Sequence, residues 1–351
     1  MKRREKEESG ERVMDLLFKL ITATGPSGEE DEVRKIILKE IKPYVDQIKI
    51  DKFGNVIAHK KGKGQKILLA AHMDEVGLII ENIEQEGWIR CSEVGWIEPL
   101  VLLGERVTIE TKKGPIIGIL TTREISNDDA IKELPKLDDI VVDTGLTKRE
   151  LTKLGVERGT YLKLILKPTF LGNKQIIAGK ALDNRLGCYA LIELAKRLKK
   201  TFVDVQYAFT VQEEIGLIGS KTSVYNINPD WAIIIDVTST DDFDGKNTKM
   251  LGKGPCITIK DAEIITNRKL NEHIKTIAKA ERIPFQLEVT EKGTTDAASI
   301  STAKGGIPST IISIPIRNIH TTSSIAHGRD IELAIKLIET TLKAKKRVNF
   351  F

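Results

Sequence analysis

The chain has 351 residues, 40% hydrophobic and 30% charged, enough to bury a substantial core in one large or two medium soluble domains. Lys and Arg outnumber Asp and Glu by 55 to 50, but the basic runs "KKGKGQK", "KRLKK" and "KAKKRVNFF" read as solvated faces and tails, so no nucleic-acid partner is expected. Cys91, Cys188 and Cys256 are far apart and odd in number, which argues against a zinc ribbon or disulfide frame and fits a reducing cytosol; with neither a signal-peptide core nor a membrane span, a cytoplasmic protein with no membrane partner is expected.

In chain order, "VMDLLFKLITATG" has helical spacing. "PSGEEDEVRKIILKEIKPYV" follows as a second amphipathic helix, with Ser27 and Glu30 at the spacing of a capping box. "QIKIDKFGNVIAHKKG" predicts a hairpin turning at Phe53-Gly54-Asn55, and "KILLAAHMD" a short buried strand. From Glu75 to Leu166 the texture changes to short alternating runs separated by Gly and Pro, around one helical patch, "LTKRELTKLG". A small β-rich domain, residues 75–166, is therefore expected as an insertion into a larger domain made of residues 1–74 and 167–351. The α/β rhythm then resumes: a helix at "NRLGCYALIELAKRLKK", strands at "VDVQYAFTVQEE" and "DWAIIIDVT", a helix at "RKLNEHIKTIAKAERI", a strand at "PSTIISIPIRNIH" and a closing helix at "RDIELAIKLIETTLKAKK".

Four of the apolar strands end in metal-binding residue types: His72 and Asp74, Glu213 and Glu214, Asp236, and His320. A fifth acid, Asp183, stands where a helix N-cap belongs. Ligands of open α/β sheets collect beyond the carboxyl ends of the strands, so these segments deliver their polar groups to one edge. Each has a bland alternative taken singly: a satisfied core histidine, an ordinary cap, a strand end, a solvated turn. His59 and His273 are poorer candidates, among lysines and on a charged helix; His327, only seven residues beyond His320, is its real competitor. What the bland alternatives leave unexplained is the convergence. Two histidines and three carboxylates suit two divalent ions sharing one acid, and a mixed nitrogen and oxygen set without thiolate favours zinc or cobalt. Asp74, two residues beyond His72, is placed to hold that histidine's second ring nitrogen.

The stretches "GPSGEE", "AAHMDEVG", "GKALDNRLG", "VQEEIGLIGS", "IDVT", "GTTDAASI" and "IPIRNIH" resemble, in order and over nearly the whole chain, the M42 metallo-aminopeptidases, which include the tetrahedral TET enzymes. The resemblance implies the mixed-sheet α/β/α fold of zinc-dependent exopeptidases, with the inserted β-rich domain serving dimerisation. It implies that His72 and Asp236 hold one metal, Glu214 and His320 the other, and that Asp183 bridges them. Glu213 matches the general base, Asp74 the carboxylate behind the first histidine, and a cis peptide is implied at Asp183–Asn184. The loop after His320, "HTTSSIAHGRD", departs from the family's usual "HSP".

The function implied is release of N-terminal residues from short peptides, by a metal-activated hydroxide with Glu213 as base. A metal beside the substrate's free α-amine would explain why internal peptides are not cut. The uncharged setting of "IISIPI" and "IDVTST" points to neutral, leucine-like N-termini, and the resemblance to a homo-oligomer built of dimers, a dodecamer. Two rivals stand beside this reading: a glycoside hydrolase of endoglucanase type using paired acids, and a non-catalytic scaffold binding polyanions through its lysines.

Overall fold

Successive side chains of a β-strand point to opposite faces, and the strand Lys66–His72 uses that alternation to feed two cores. Ile67, Leu69 and Ala71 join one buried cluster; Leu68 and Ala70 join another. The computed structural model, which describes residues 15–126, 133–172, 174–199, 202–243, 245–344 and 348–350, extends this pattern over an 11-stranded mixed sheet. Its middle is parallel, with Asp204–Thr210, Lys66–His72, Trp231–Ser239 and Ser309–Arg317 side by side. The hairpin Gln47–Ile50 and Val56–Lys60 flanks one side, and Ser324–His327, Ile176–Gly179 and Thr169–Phe170 flank the other. Cys256–Lys260 and Gln286–Val289, which the sequence patterns did not single out, branch from Ser309–Arg317.

Helices cover both faces. The larger core lies under Asp31–Ile41, Leu182–Arg197, Arg268–Ala280 and Gly328–Lys343, and the smaller one under Asp296–Thr302. Gly328–Lys343 shows why: Ile331, Ala334, Ile335, Ile338 and Leu342 recur at helical spacing and are all buried. This is the mixed-sheet α/β/α architecture expected. Among the described residues, no helix is long and apolar enough to cross a membrane.

Six strands between Gly77 and Leu164 close into a separate antiparallel barrel around Leu78, Ile80, Val107, Leu120 and Leu162. The helix Lys148–Leu154 belongs to it and is closed at both ends by local chemistry. Thr147 Oγ1 accepts from the Glu150 amide, the Glu150 carboxylate accepts from the Thr147 amide, and Gly155 ends the helix at φ +85°.

One expected motif is not made. Helix Asp31–Ile41 starts after Glu30 without a side-chain cap, because Ser27 Oγ donates instead to Asp74 Oδ2 at 2.6 Å, and Glu30 Oε1 accepts from the amides of Gly28 (2.7 Å) and Gln212 (3.3 Å). Partners distant in sequence win over the local box.

Strand register decides where the polar residues gather. Thr210 pairs with His72, and Ala70 with Ile234, so Asp236 lies level with His72 two residues further on; Asp236 in turn pairs with Ser313. The carboxyl ends of the parallel strands therefore meet along one edge of the sheet, beside the barrel.

Candidate metal centre

His72 ends its strand almost fully buried. Its Nε2 lies 3.1 Å from Asp183 Oδ1 and 3.8 Å from Asp236 Oδ1. Its Nδ1 faces Asp74, 3.2 Å from the backbone oxygen and 3.5 Å from Oδ1. The Asp74 carboxylate does more than stand behind a histidine: Oδ1 accepts from the Glu213 amide at 3.1 Å, and Oδ2 from the Glu214 amide at 3.2 Å.

Asp183 lies in the irregular first turn of Leu182–Arg197. Asp183 and Asn184 have non-helical angles, the peptide between them is cis, and Ala181 before them is left-handed at φ +53°. The capping role open to Asp183 falls to its neighbour, since Asn184 Oδ1 accepts from the Gly187 amide at 3.0 Å. The Asp183 carboxylate is thereby free to face two ways, Oδ1 toward His72 and Oδ2 toward His320 Nε2 at 3.3 Å. His320 Nε2 is also 3.4 Å from Glu214 Oε2.

His320 comes three residues after the strand Ser309–Arg317, in a turn where its own φ is +55°. A non-glycine residue held there costs about 1–2 kcal/mol, so the surroundings must fix it. The Trp96 indole, from the barrel side, packs against the ring with centroids 5.7 Å apart. His327 is committed elsewhere: it caps Gly328–Lys343, its Nδ1 accepting from the Arg329 amide. His59 pairs with Asp204, the first residue of its strand and so at the far end from His72, and His273 stays on Arg268–Ala280.

All seven residues singled out, His72, Asp74, Asp183, Glu213, Glu214, Asp236 and His320, thus converge. Two sets of donor atoms fall within 4.8 Å of one another: His72, Asp183 and Glu214, and His72, Glu213 and Asp236. The second set places Glu213, expected as a base, where a ligand could also stand.

The electrostatics follow from burial. Glu214 is pushed up to about 8 by desolvation and then by the charge of Asp183. Desolvation likewise raises Glu213, with Asp296 and Glu214 adding to it, and raises Asp236, with Asp183 adding to it. For the histidines, burial opposes the charge but neighbouring acids outweigh it. Hydrogen bonding to Asp183 and the charge of Glu214 lift His320 to about 9, and Glu213 and Asp183 raise His72. Burial works against the Asp183 carboxylate too, yet its two histidine partners hold it well below the usual range.

These residues fit a divalent cation. Glu214 Oε1 and Asp296 Oδ1 are buried with no hydrogen-bond partner. Lys180 Nζ and Arg185 Nη2 are engaged by Glu75, at 2.7 Å and 3.4 Å. Buried acids without a cation are costly, and the donors are imidazole nitrogen and carboxylate oxygen, as zinc and cobalt prefer. The Cys188 thiol points away, donating to the His72 backbone oxygen at 3.1 Å.

Several neighbours escaped the reading of the sequence. Glu75, Lys180, Arg185 and Asp296 lie inside the motif stretches, and their signal was a charge within an otherwise apolar segment. Trp96 had no such signal. Beside Asp183, Glu214 and His320 opens a small, shallow cleft, walled by Val76, Ile97 and Leu164 and by the Glu75–Lys180 pair.

Comparison with known proteins matches residues 54–337 to the family model described as M42 glutamyl aminopeptidase. A lysyl aminopeptidase of Pyrococcus furiosus is 34% identical, the match covering 96% of this chain and 98% of that one. The structure of an aminopeptidase from the archaeon Desulfurococcus kamchatkensis superposes with a TM-score of 0.90 at 36% identity, over 95% of each chain. The Pyrococcus horikoshii TET1 peptidase, described as assembling into a tetrahedron or a large octahedral shell, gives 0.84 at 33% identity over 94% of this chain and 99% of its own.

Proposed function

The chain belongs to the M42 aminopeptidase family, and from that premise we propose that it is a dinuclear metallo-aminopeptidase acting on the N-termini of short peptides. The observation that carries this reading is the shared carboxylate of Asp183, with one oxygen 3.1 Å from His72 and the other 3.3 Å from His320. His72 and Asp236 would hold one ion, Glu214 and His320 the second, and Asp183 both. Zinc or cobalt bound there would polarise the scissile carbonyl and let water attack at neutral pH. Glu213, raised by burial and by Asp296 and Glu214, suits a group that must both take and give a proton. It accepts one from the attacking water as the carbon–oxygen bond forms. It returns that proton to the leaving nitrogen as the carbon–nitrogen bond breaks. Asp74 positions the pair through the amides of Glu213 and Glu214.

Neutral, leucine-like N-termini are the proposed substrates. Val76, Ile97 and Leu164 offer an apolar wall, and Glu75 and Lys180 cancel each other's charge. The division into residues 1–74 with 167–351 and residues 75–166 is proposed to separate catalysis from dimerisation. Ile117 and Ile119, 59% and 49% exposed on the barrel strand Ile116–Thr122, support a partner surface there. The proposed assembly is a dodecamer built of dimers; a monomer in sedimentation across micromolar concentrations would contradict it.

The two glutamates provide the test. Glu213→Gln should keep both metals while activity on aminoacyl chromogenic substrates, fastest with leucine, falls by roughly 10²–10⁴-fold. Glu214→Gln should lose metal, with part of the rate restored by excess zinc or cobalt. Metal loss from the Glu213 variant instead would exchange the two roles, and wild-type behaviour of both would end the proposal.

A further inference from the structure

The segment Gly25–Glu30 lies outside the sheet, yet Ser27 and Glu30 are 2% and 3% exposed. Neither has a part in the chemistry proposed above. Ser27 Oγ donates to Asp74 Oδ2 at 2.6 Å, and that carboxylate, fully buried, receives the amides of Glu213 and Glu214. Glu30 Oε1 receives the amide before them, that of Gln212, at 3.3 Å. Three successive N–H groups, 212 to 214, are therefore held by two carboxylates that belong to this loop or are gripped by it.

They need holding. Gln212 is left-handed at φ +53°, a conformation that a non-glycine residue leaves when nothing fixes it. Glu213 and Glu214 are adjacent buried acids whose charges repel, and rotation of the peptide between them would move both carboxylates at once.

The loop is itself pinned at two points. Two hydrogen bonds join Gly25 and Glu75, one to backbone and one to side chain: the Glu75 amide donates to Gly25 O at 3.0 Å, and the Gly25 amide to Glu75 Oε1 at 2.9 Å. From the barrel, Tyr161 OH donates to Ser27 O at 2.9 Å. The fit there is tight. Gly28 has φ +93°, and a Cβ on it would stand 2.7 Å from the Tyr161 oxygen.

The geometry points to Gly25–Glu30 as a positioning element that sets the Glu213–Glu214 peptide, with Tyr161 of the barrel holding the loop closed. This rests on the roles proposed for the two glutamates and adds to them a dependence of the sheet edge on the barrel.

Ser27→Ala, Tyr161→Phe and the double variant test it. Each is assayed for kcat and KM with metal bound, and the metal-free proteins for hydrogen exchange at amides 212–214. Losing one hydrogen bond to a buried carboxylate should lower kcat about tenfold in Ser27→Ala, at unchanged KM, and exchange at 212–214 should quicken in both single variants. Because both act through one loop, the double variant should lose less than the product of the single losses. Unchanged kcat and exchange would overturn the inference, and so would independent, multiplying effects. A wild-type chain that hydrolyses no substrate would sink the peptidase reading instead, and the exchange rates would still decide the loop.

Discussion

The barrel and the sheet edge are neighbours built on opposite terms. Between Gly77 and Leu164, among the described residues, Thr122 is the only buried polar or charged side chain, and the barrel core is built of residues such as Leu78, Ile80, Val107, Leu120 and Leu162. The sheet edge buries His72, Asp74, Asp183, Glu213 and Asp236, with His72 facing each of the three aspartates and Glu213 within reach of His72 and Asp236. Apolar burial is non-directional, each side chain contributing about 1.5–3 kcal/mol without needing one particular partner. Buried charges are neither additive nor tolerant; each depends on partners that must be present together. The barrel core thus rests on apolar contact. The edge is a cluster of acids and histidines whose protons and charges depend on one another, held in shape by what surrounds it.

Removing metal should therefore separate the two regions most strongly. A chelator should lower peptidase activity by on the order of a thousandfold or more, because the group that activates water and carbonyl is gone. The melting temperature should fall and be restored by zinc or cobalt, since an ion that binds only the folded state stabilises it. Hydrogen exchange should quicken around His72 and Glu213 and stay unchanged in the barrel. Hydrolysis of a glycan that survives chelation would favour the glycosidase alternative, which needs two carboxyls and no metal; a peptidase rate that survives it would end the metal-dependent reading.

The two regions were also legible in the sequence to different degrees. At the edge, an apolar run ending in a histidine or an acid is a local pattern, so His72, Asp236 and the Glu213–Glu214 pair could be found from their own neighbours. Their support could not. Ser27 and Glu30 fit a capping box by spacing, but their partners are Asp74 and Gln212, 47 and 182 residues away. Asp183 looked like a cap, and only the structure shows Asn184 taking that task. In the barrel, alternation revealed strands but not their order. Gly77–Ile83 pairs with Tyr161–Leu164 at the far end of the insertion, and nothing local encodes that. Cys256–Lys260 and Gln286–Val289 went unread for a related reason: they are short, and parallel to each other with a helix between.

A cavity in the barrel tests whether its packing reaches the chemistry. Leu120 is fully buried in that core, and Leu120→Ala should cost about 2–5 kcal/mol of stability. Chemical denaturation measures the loss. The rate per folded molecule should stay at the wild-type value, because no polar contact of the site passes through Leu120. A fall in kcat would mean that the barrel transmits packing strain to the edge as well as holding the loop through Tyr161.

The smallest effect expected is one of pH on the metal-free protein, and it has a definite sign. Burial and the charge of Asp183 place Glu214 at about 8, against an ordinary 4.5. The folded state keeps a proton there that the unfolded chain releases, so this contribution to stability is complete below pH 4.5 and lost as the pH rises through 8. Glu213, Asp236 and Asp296 are raised first by burial and then by neighbouring acids, with the same sign. For His320, lifted from 6.5 to about 9 by Asp183 and Glu214 against its burial, the loss runs between those two values. His72 is raised as well. Asp183 and Asp74 are lowered by their histidine partners, and their contributions disappear only in acid, below the ordinary 3.8. Between about pH 5 and pH 9 the raised acids and histidines of the edge therefore pull one way, against the single opposing pull of Lys180, which burial lowers, and the metal-free protein should melt lower as the pH rises. Metal reverses the balance, because its ligands must be deprotonated to bind it. The gap in melting temperature between metal-loaded and metal-free protein should widen steadily over the same range. A gap that stayed constant with pH would mean that these acids are not the ligands.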